Sequence, residues 1–242
     1  MVDGTEKADP PSPLSASLGS QIRMAARGIA SLFRGRVGGA NPSASPGDSD
    51  VISPDTQRDR RVPPGQVQTR RWPVLHAGST PRMDLGTWDL TISGLVDFPR
   101  TWNWTDFRSL PSSRVFADMH CVTRWSLLDN VWEGVLVADL MKQVVVRPEA
   151  RFVLIRAENG FTTNLPLADF LKADCLFAWS HNGRDLEPDH GWPLRLVVPR
   201  LYAWKSAKWV RGVEFRAEDV PGFWEENGYH NHGDPWTEER YW

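Results

Sequence analysis

Cysteine is scarce in this 242-residue chain: Cys121 and Cys175 are the only two. Two thiols cannot build a disulfide framework, nor can they fill a thiolate metal cage by themselves, so a reducing compartment is expected. No run of 18 or more apolar residues occurs, which excludes a membrane-spanning helix. The first residues, Met1 to Pro13, have no apolar stretch of the kind a secretory signal carries. The pairs Arg60-Arg61 and Arg70-Arg71 lack a following apolar segment and read as surface charge. A cytoplasmic location is the expectation. Charge of one sign is also missing. A formal net charge of −2 gives no electrostatic reason to invoke nucleic acid. Glycine-rich phosphate loops and internal repeats are absent as well, which removes dinucleotide-binding and P-loop readings.

Tryptophan, by contrast, is abundant, with 13 residues. Buried indoles need a partner for the ring N–H, so such a chain builds either a rigid pocket wall or simply a Trp-rich core. Residues 1–63 are Pro-, Ser- and Gly-rich and are expected to be a disordered or weakly helical extension, with residues 64–242 forming the folded domain. Within that extension Leu18, Ile22, Ala25, Ile29 and Leu32 recur at helical spacing beside Arg23, Arg27 and Arg34. This is a basic amphipathic stretch, marginal as an isolated helix.

Downstream, Trp88, Leu90 and Ile92 alternate with polar residues and predict a strand ending at Gly94. Thr105 is the expected cap of a short helix running towards Leu110. Val115, Ala117, Met119 and Cys121 share one face of a strand. Val137 to Met141 reads as helix. Arg151–Ala157, Cys175–Trp179, Leu194–Val198 and Val210–Arg216 read as strands, and Asn182-Gly183 as a hairpin turn. Strands outnumber helices without regular interleaving, so the fold class is α+β with mixed sheets.

Three segments carry candidate chemistry. Cys121, in Cys-Val-Thr-Arg-Trp-Ser, falls where a strand runs into a loop. Arg124 nearby is expected to favour the thiolate, the form that ligates metals. Read alone, a free cysteine on a strand is usually a small buried hydrophobe. His190 and Arg195 bracket the turn of His-Gly-Trp-Pro-Leu-Arg, and an Arg fork suits phosphate or carboxylate. Lys205, Ser206 and Lys208 form a compact cationic loop in Tyr-Ala-Trp-Lys-Ser-Ala-Lys-Trp, suited to a phosphate dianion. Cys175 lies in an apolar strand and reads as core.

Together these strings, with Trp132-Glu-Gly-Val135 and Asn227-Gly-Tyr-His230, resemble the molybdopterin-binding domain of the sulfite oxidase family. They resemble especially the compact bacterial members related to the methionine sulfoxide reductase catalytic subunit. The resemblance implies the molybdopterin-binding α+β fold and a Mo-molybdopterin cofactor, in its mononuclear form. It further implies that Cys121 ligates molybdenum, that Lys205, Ser206 and Lys208 hold the pterin phosphate, and that His190 and Arg195 contact the pterin, with His76 a looser match. The catalytic residues would then be Cys121 and Arg124. Thr162 or Thr163 is a further candidate for the pocket. The implied activity is two-electron oxygen-atom transfer on a small sulfite- or sulfoxide-like substrate. Electrons would pass to a separate partner, and a monomer is expected. Thr123 stands where the reductase relatives carry an acidic residue, so substrate contacts do not transfer. Two other readings stay open: a pterin-binding module without turnover, and a metal site at His230, His232 and Asp234, joined by His181 or His190.

Overall fold

A computed structural model describes residues 44–242. The amphipathic stretch Leu18–Leu32 lies outside the described residues. In chain order the strands and helices are β1 (Val51–Ile52), β2 (Val67–Thr69), β3 (Asp89–Gly94), β4 (Arg100–Asn103), α1 (Trp104–Arg108), β5 (Ser113–His120) and β6 (Trp125–Leu136). There follow α2 (Val137–Met141), β7 (Phe152–Ala157), β8 (Thr162–Pro166), α3 (Leu167–Phe170), β9 (Leu176–His181), β10 (Arg184–Asp185), β11 (Arg195–Val197), β12 (Val210–Arg216) and α4 (Phe223–Glu226).

The described strands make two mixed sheets, so the fold class is α+β. One runs β1-β5-β6-β9-β10, with β2 also on β6 and β11 also on β9; the other runs β4-β3-β12-β7-β8. Strand β12 is the seam of the second sheet, parallel to β3 and antiparallel to β7. The anticipated strands and the α2 helix form where the apolar alternation placed them. Helix α1 is capped two residues earlier than expected. Asn103 Oδ1 accepts from the Asp106 N–H, so Asn103, not Thr105, is the N-cap. Asn182 and Gly183 both have positive φ, 49° and 75°, the conformation a two-residue hairpin demands.

Alternation along the first sheet separates two apolar clusters. Phe177 and Trp179 of β9, with Leu196 of β11, face a core shared with Leu90, Ile92, Val213 and Phe215 of the second sheet. Leu176, Ala178 and Val197 face the other way, into a cluster with Val115, Ala117, Met119, Cys121, Trp132 and Trp204. The inter-sheet core therefore carries stability, with each buried Leu or Phe contributing roughly 1.5–3 kcal/mol. The opposite face of the first sheet carries Cys121.

The fold begins before the expected boundary at Pro64. Strand β1 pairs in parallel with β5 through Val51↔Val115 and Ile52↔Phe116. The Ser53 hydroxyl donates to Asp174 Oδ2 at 2.7 Å. Arg61, expected to be surface charge, instead grips buried Asp118 with two bonds of 2.9 and 2.6 Å and reaches Asp129 at 2.8 Å. Asp118, on the strand face away from Cys121, would be an uncompensated buried carboxylate without it. Among the described residues no helix is long and apolar enough to cross a membrane.

Candidate functional site

The β5–β6 connection places Cys121. The Cys121 N–H donates to Trp125 O at 2.9 Å, and the Arg124 N–H to Cys121 O at 3.0 Å, closing a tight loop. Arg124 sits at φ 73°, and Gln66 Nε2 donates to Cys121 O at 3.0 Å from outside the loop. Thr123 Oγ1 donates to Cys121 Sγ at 3.2 Å. Burial pushes the thiol above its ordinary pKa, opposed by Thr123 and by the charges of Lys208 and Arg240. Lys208 and Arg240 are the cations whose charge acts most on the sulfur. The Arg124 side chain is exposed, with Nη1 3.4 Å from Gly65 O.

Around this cluster lies a layer of rings and cations. His190 stacks on Trp72, with centroids 3.8 Å apart and planes 9° from parallel. His181 packs against Trp72 at 4.5 Å and Trp132 at 4.4 Å. The Arg195 guanidinium lies 5.2 and 5.4 Å from the same two indoles and donates to His190 O at 2.9 Å and Ser206 O at 3.1 Å. Lys208 Nζ donates to Leu75 O at 3.0 Å and Asp189 O at 2.6 Å, and lies 3.4 Å from His76 Nδ1. His76 in turn meets the edge of Trp209. The structure thus brings Cys121, His76, His190, Arg195 and Lys208 to one side of the first sheet.

Electrostatically this layer is under-compensated. Arg195 is 2% exposed, and burial alone pushes it down to about 9; among the described residues no carboxylate offsets its charge. Burial also pushes His181 and His190 down to about 3, and Lys208 to about 7, with Arg195 adding to each shift. His190 Nδ1 and Arg195 Nε are buried without a hydrogen-bond partner. A folded chain tolerates such atoms where an anionic, acceptor-rich group completes the site.

Lys205 departs from expectation. It is wholly buried and ion-paired to Glu225 at 2.6 Å, and it donates to Asn164 O, Asn164 Oδ1 and Asn231 O at 2.9, 2.8 and 2.6 Å. An ammonium has three donors, so none is left for a phosphate. The Ser206 hydroxyl accepts from the Val198 N–H at 2.9 Å. Thr163 donates to Glu225 at 3.3 Å, inside the same buried network. The tail histidines make no metal site either. His232 lies between Glu239 (2.8 Å) and Asp169 (3.0 Å), and no group of three or more His, Cys, Asp or Glu among the described residues is arranged to hold an ion. Both cysteines are free.

Sequence reasoning named His181 only as a ligand of the tail metal site, and it singled out neither Tyr229 nor Arg240. Tyr229 stacks on Trp224 and meets Trp204 edge-on. Its phenol is pushed up by burial, then by Tyr241 and Cys121. The Asn227-Gly-Tyr-His230 string marked the place, but its contact with the Cys121 cluster is more than a hundred residues away in sequence.

Residues 77–224 match the family model described as oxidoreductase molybdopterin binding domain. This chain belongs to that family. The chain is similar to the uncharacterized oxidoreductase YuiH of Bacillus subtilis (strain 168), 51% identical over 182 residues, covering 75% of this chain and 92% of that one. It is 30% identical over 188 residues to sulfite oxidase of Arabidopsis thaliana, covering 63% of this chain and 48% of that protein. The protein-methionine-sulfoxide reductase catalytic subunit MsrP of Campylobacter jejuni matches at 29% over 161 residues, 57% of this chain and 52% of MsrP. The chain thus spans nearly all of YuiH but about half of the sulfite oxidase and MsrP. Among solved structures, the sulfane dehydrogenase SoxCD from Paracoccus pantotrophus shares the fold, with a TM-score of 0.54 at 22% identity over 58% of this chain and 41% of that one. The family is that of sulfite oxidase and MsrP, and its cofactor is Mo-molybdopterin. The site fits that group. A single loop thiol suits a metal whose other sulfur donors come with the pterin, and the unpaired Arg195 and His190 donors suit an anionic heterocycle.

Proposed function

We propose that this molybdopterin oxidoreductase carries out two-electron oxygen-atom transfer on a small oxo substrate of the sulfite or sulfoxide kind. Cys121 would be the protein's ligand to molybdenum. His190, Arg195, Lys208 and His76 would hold the pterin and its phosphate, and a separate protein would exchange electrons with the site. When bound, the cofactor supplies the redox change and carries the oxygen. The observation that supports this reading best is the cationic layer beside Cys121, with Arg195 buried and no carboxylate among the described residues against it.

The chain's own groups have definable tasks. Thr123 Oγ1 donates to Cys121 Sγ, which lowers the cost of a buried thiolate. Trp72 and Trp132 clamp the His181, His190 and Arg195 side chains and keep water from the layer. Burial holds the Tyr229 phenol above its ordinary pKa, so the ring that packs against the Cys121 cluster stays protonated and adds no negative charge there. Lys205, expected in the phosphate site, has a structural role in this reading, and Lys208 is the lysine that faces the cofactor. Lys208 now spends its donors on two neutral carbonyls and His76, partners that an incoming phosphate can displace.

The test is the metal and pterin content of protein purified from a host that makes molybdopterin, beside a Cys121→Ser control. Near-stoichiometric molybdenum in the parent, lost in the variant, supports the reading. Neither group in the parent, with Cys121→Ser unchanged, overturns it. Parallel assays with sulfite under oxidising conditions and a sulfoxide under reducing conditions then separate the two substrate classes. Full cofactor with turnover of neither class would instead favour a binding module.

A further inference from the structure

The segment Glu238–Trp242 lies against the loop that carries Cys121. Its central residue, Arg240, is 5% exposed. Arg240 Nη1 donates to Val122 O at 2.9 Å, inside the Cys121–Arg124 loop, and Nη2 to Pro64 O at 3.2 Å, ahead of β2. Its guanidinium lies 5.1 Å over the Tyr202 ring. One planar fork thus ties together three parts of the chain that are remote in sequence. Val122 is itself buried, so its carbonyl would lack a partner without this bond.

The segment is anchored on its other side. The His230 N–H donates to Arg240 O at 3.1 Å, and Tyr241 bridges Tyr229. Glu239, next to Arg240, accepts from the Asp234 N–H at 2.9 Å and faces His232 Nδ1 at 2.8 Å. His232 Nε2 lies 3.0 Å from Asp169 Oδ2, at the end of α3. With a carboxylate at each ring nitrogen, only the doubly protonated imidazolium donates to both. Asp169 also pairs with Arg200 at 3.2 Å, and His230 Nδ1 lies 3.4 Å from Glu239.

We propose that Glu238–Trp242 is a strap that keeps the Cys121 loop closed, with Arg240 as its pin and the Asp169–His232–Glu239 bridge as its latch, so that its opening governs how the loop admits and retains the cofactor. The last clause rests on the reading of Cys121 as the metal ligand; the strap itself does not. Arg240 is a positioning residue here, acting through Val122. The latch is sensitive to pH. The two carboxylates raise the His232 pKa, so the bridge is complete at acid pH and loses one donor as pH rises through that value. The groups facing His232 are Asp169 and Glu239, backed by Arg200 and Lys172 on the first and His230 on the second.

Hydrogen–deuterium exchange on the full chain without cofactor tests the strap, comparing the parent with Arg240→Gln, Arg240→Lys and His232→Gln. The Cys121 and Arg124 amides are hydrogen-bonded within the loop and report its opening directly. Losing one charged donor should speed their exchange about tenfold in Arg240→Gln and His232→Gln, while amides of β12 keep the parent rate. Lysine at 240 should rescue little, because one ammonium cannot bridge two carbonyls as the fork does. The His232→Gln effect should shrink as pH rises. Unchanged loop exchange in both variants overturns the strap, as does an equal rise in β12, which would mean general destabilisation. In cofactor-loaded protein, loss of molybdenum should accelerate in the same order as loop exchange. Faster exchange without faster metal loss would keep the strap and overturn its link to the cofactor.

Discussion

Arg195 shows at the level of one side chain how this site trades stability for binding. Its charge is buried, donates to two carbonyls and meets no acid. A buried charge without a counter-charge costs several kcal/mol, so the cofactor-free protein bears that cost and the loaded protein recovers it. Arg195→Met should therefore leave the cofactor-free protein no less stable than the parent in urea unfolding, yet abolish retention of molybdenum and pterin. A loss of several kcal/mol in the empty variant would show that the guanidinium supports the fold instead. Lys208 allows the matching pH test. Its folded pKa of about 7 lies below the ordinary lysine value, so the unfolded chain binds more protons between pH 7 and roughly 10.5. Its contribution to stability therefore rises with pH across that window. His181 and His190, both pushed down to about 3, act the same way lower down: stability falls as pH drops from about 6.5. Thermal unfolding of cofactor-free protein against pH should show both slopes. Lys208→Met should flatten the upper one, and His190→Gln should reduce the lower one.

Among the elements, the β6–β9 pairing sets the platform on which that layer stands. Strand β6 carries Trp132 into the Cys121 cluster, and β9 carries His181 beside it. At Gly134 the two strands come so close that a Cβ would lie 1.9 Å from the Phe177 carbonyl oxygen. Gly134→Ala should cost at least about 2–3 kcal/mol by forcing the ladder apart. A variant within 0.5 kcal/mol of the parent in chemical denaturation, roughly the scatter of a neutral surface change, would refute this. The close approach explains Trp132-Glu-Gly-Val135 physically, where the sequence offered only a matching string. Strand β3 was legible because period-two burial is a local property, and β7 because a short β-branched apolar run is one too. Strand β1 was not. Two residues set among Pro and Asp carry no periodicity, and only their parallel pairing with β5, over sixty residues on, makes them strand. The helix cap was displaced for a local reason: Asn103 and Thr105 are both competent caps, and the Asn103 side chain is the one that accepts from the Asp106 N–H.

Across the whole molecule, the decisive contacts join segments far apart in sequence, and that is where reading the sequence reached its limit. Cys121, His190 and Arg195 stood out because each sits in a distinctive string. Lys205 stood out for the same reason and was expected in the phosphate site, whereas its partners Asn164, Glu225 and Asn231 could not be anticipated from the loop itself. The structure makes Lys205 the centre of a staple joining β8, the turn before β12, α4 and the tail. Its ammonium holds Glu225 Oε1 at 2.6 Å, while Trp204 Nε1 donates to the same oxygen at 2.8 Å. Both charges are buried, so removing either one leaves the other uncompensated, at a cost of about 3–5 kcal/mol. Lys205→Met and Glu225→Gln should each destabilise the cofactor-free protein by that order. The double variant should lose markedly less than the sum, giving a coupling energy of about 1–3 kcal/mol in a urea double-mutant cycle. A phosphate-binding Lys205 would behave oppositely: the cofactor-free single variant would keep its stability, the cycle would be additive, and only cofactor retention would fall. The staple also holds the tail that presents Tyr229 to Cys121, so disrupting it should weaken cofactor binding through the fold. Lys205→Met in protein purified with cofactor is thus expected to lower the unfolding temperature and the molybdenum content together. A fall in molybdenum at unchanged unfolding temperature would return Lys205 to the phosphate site.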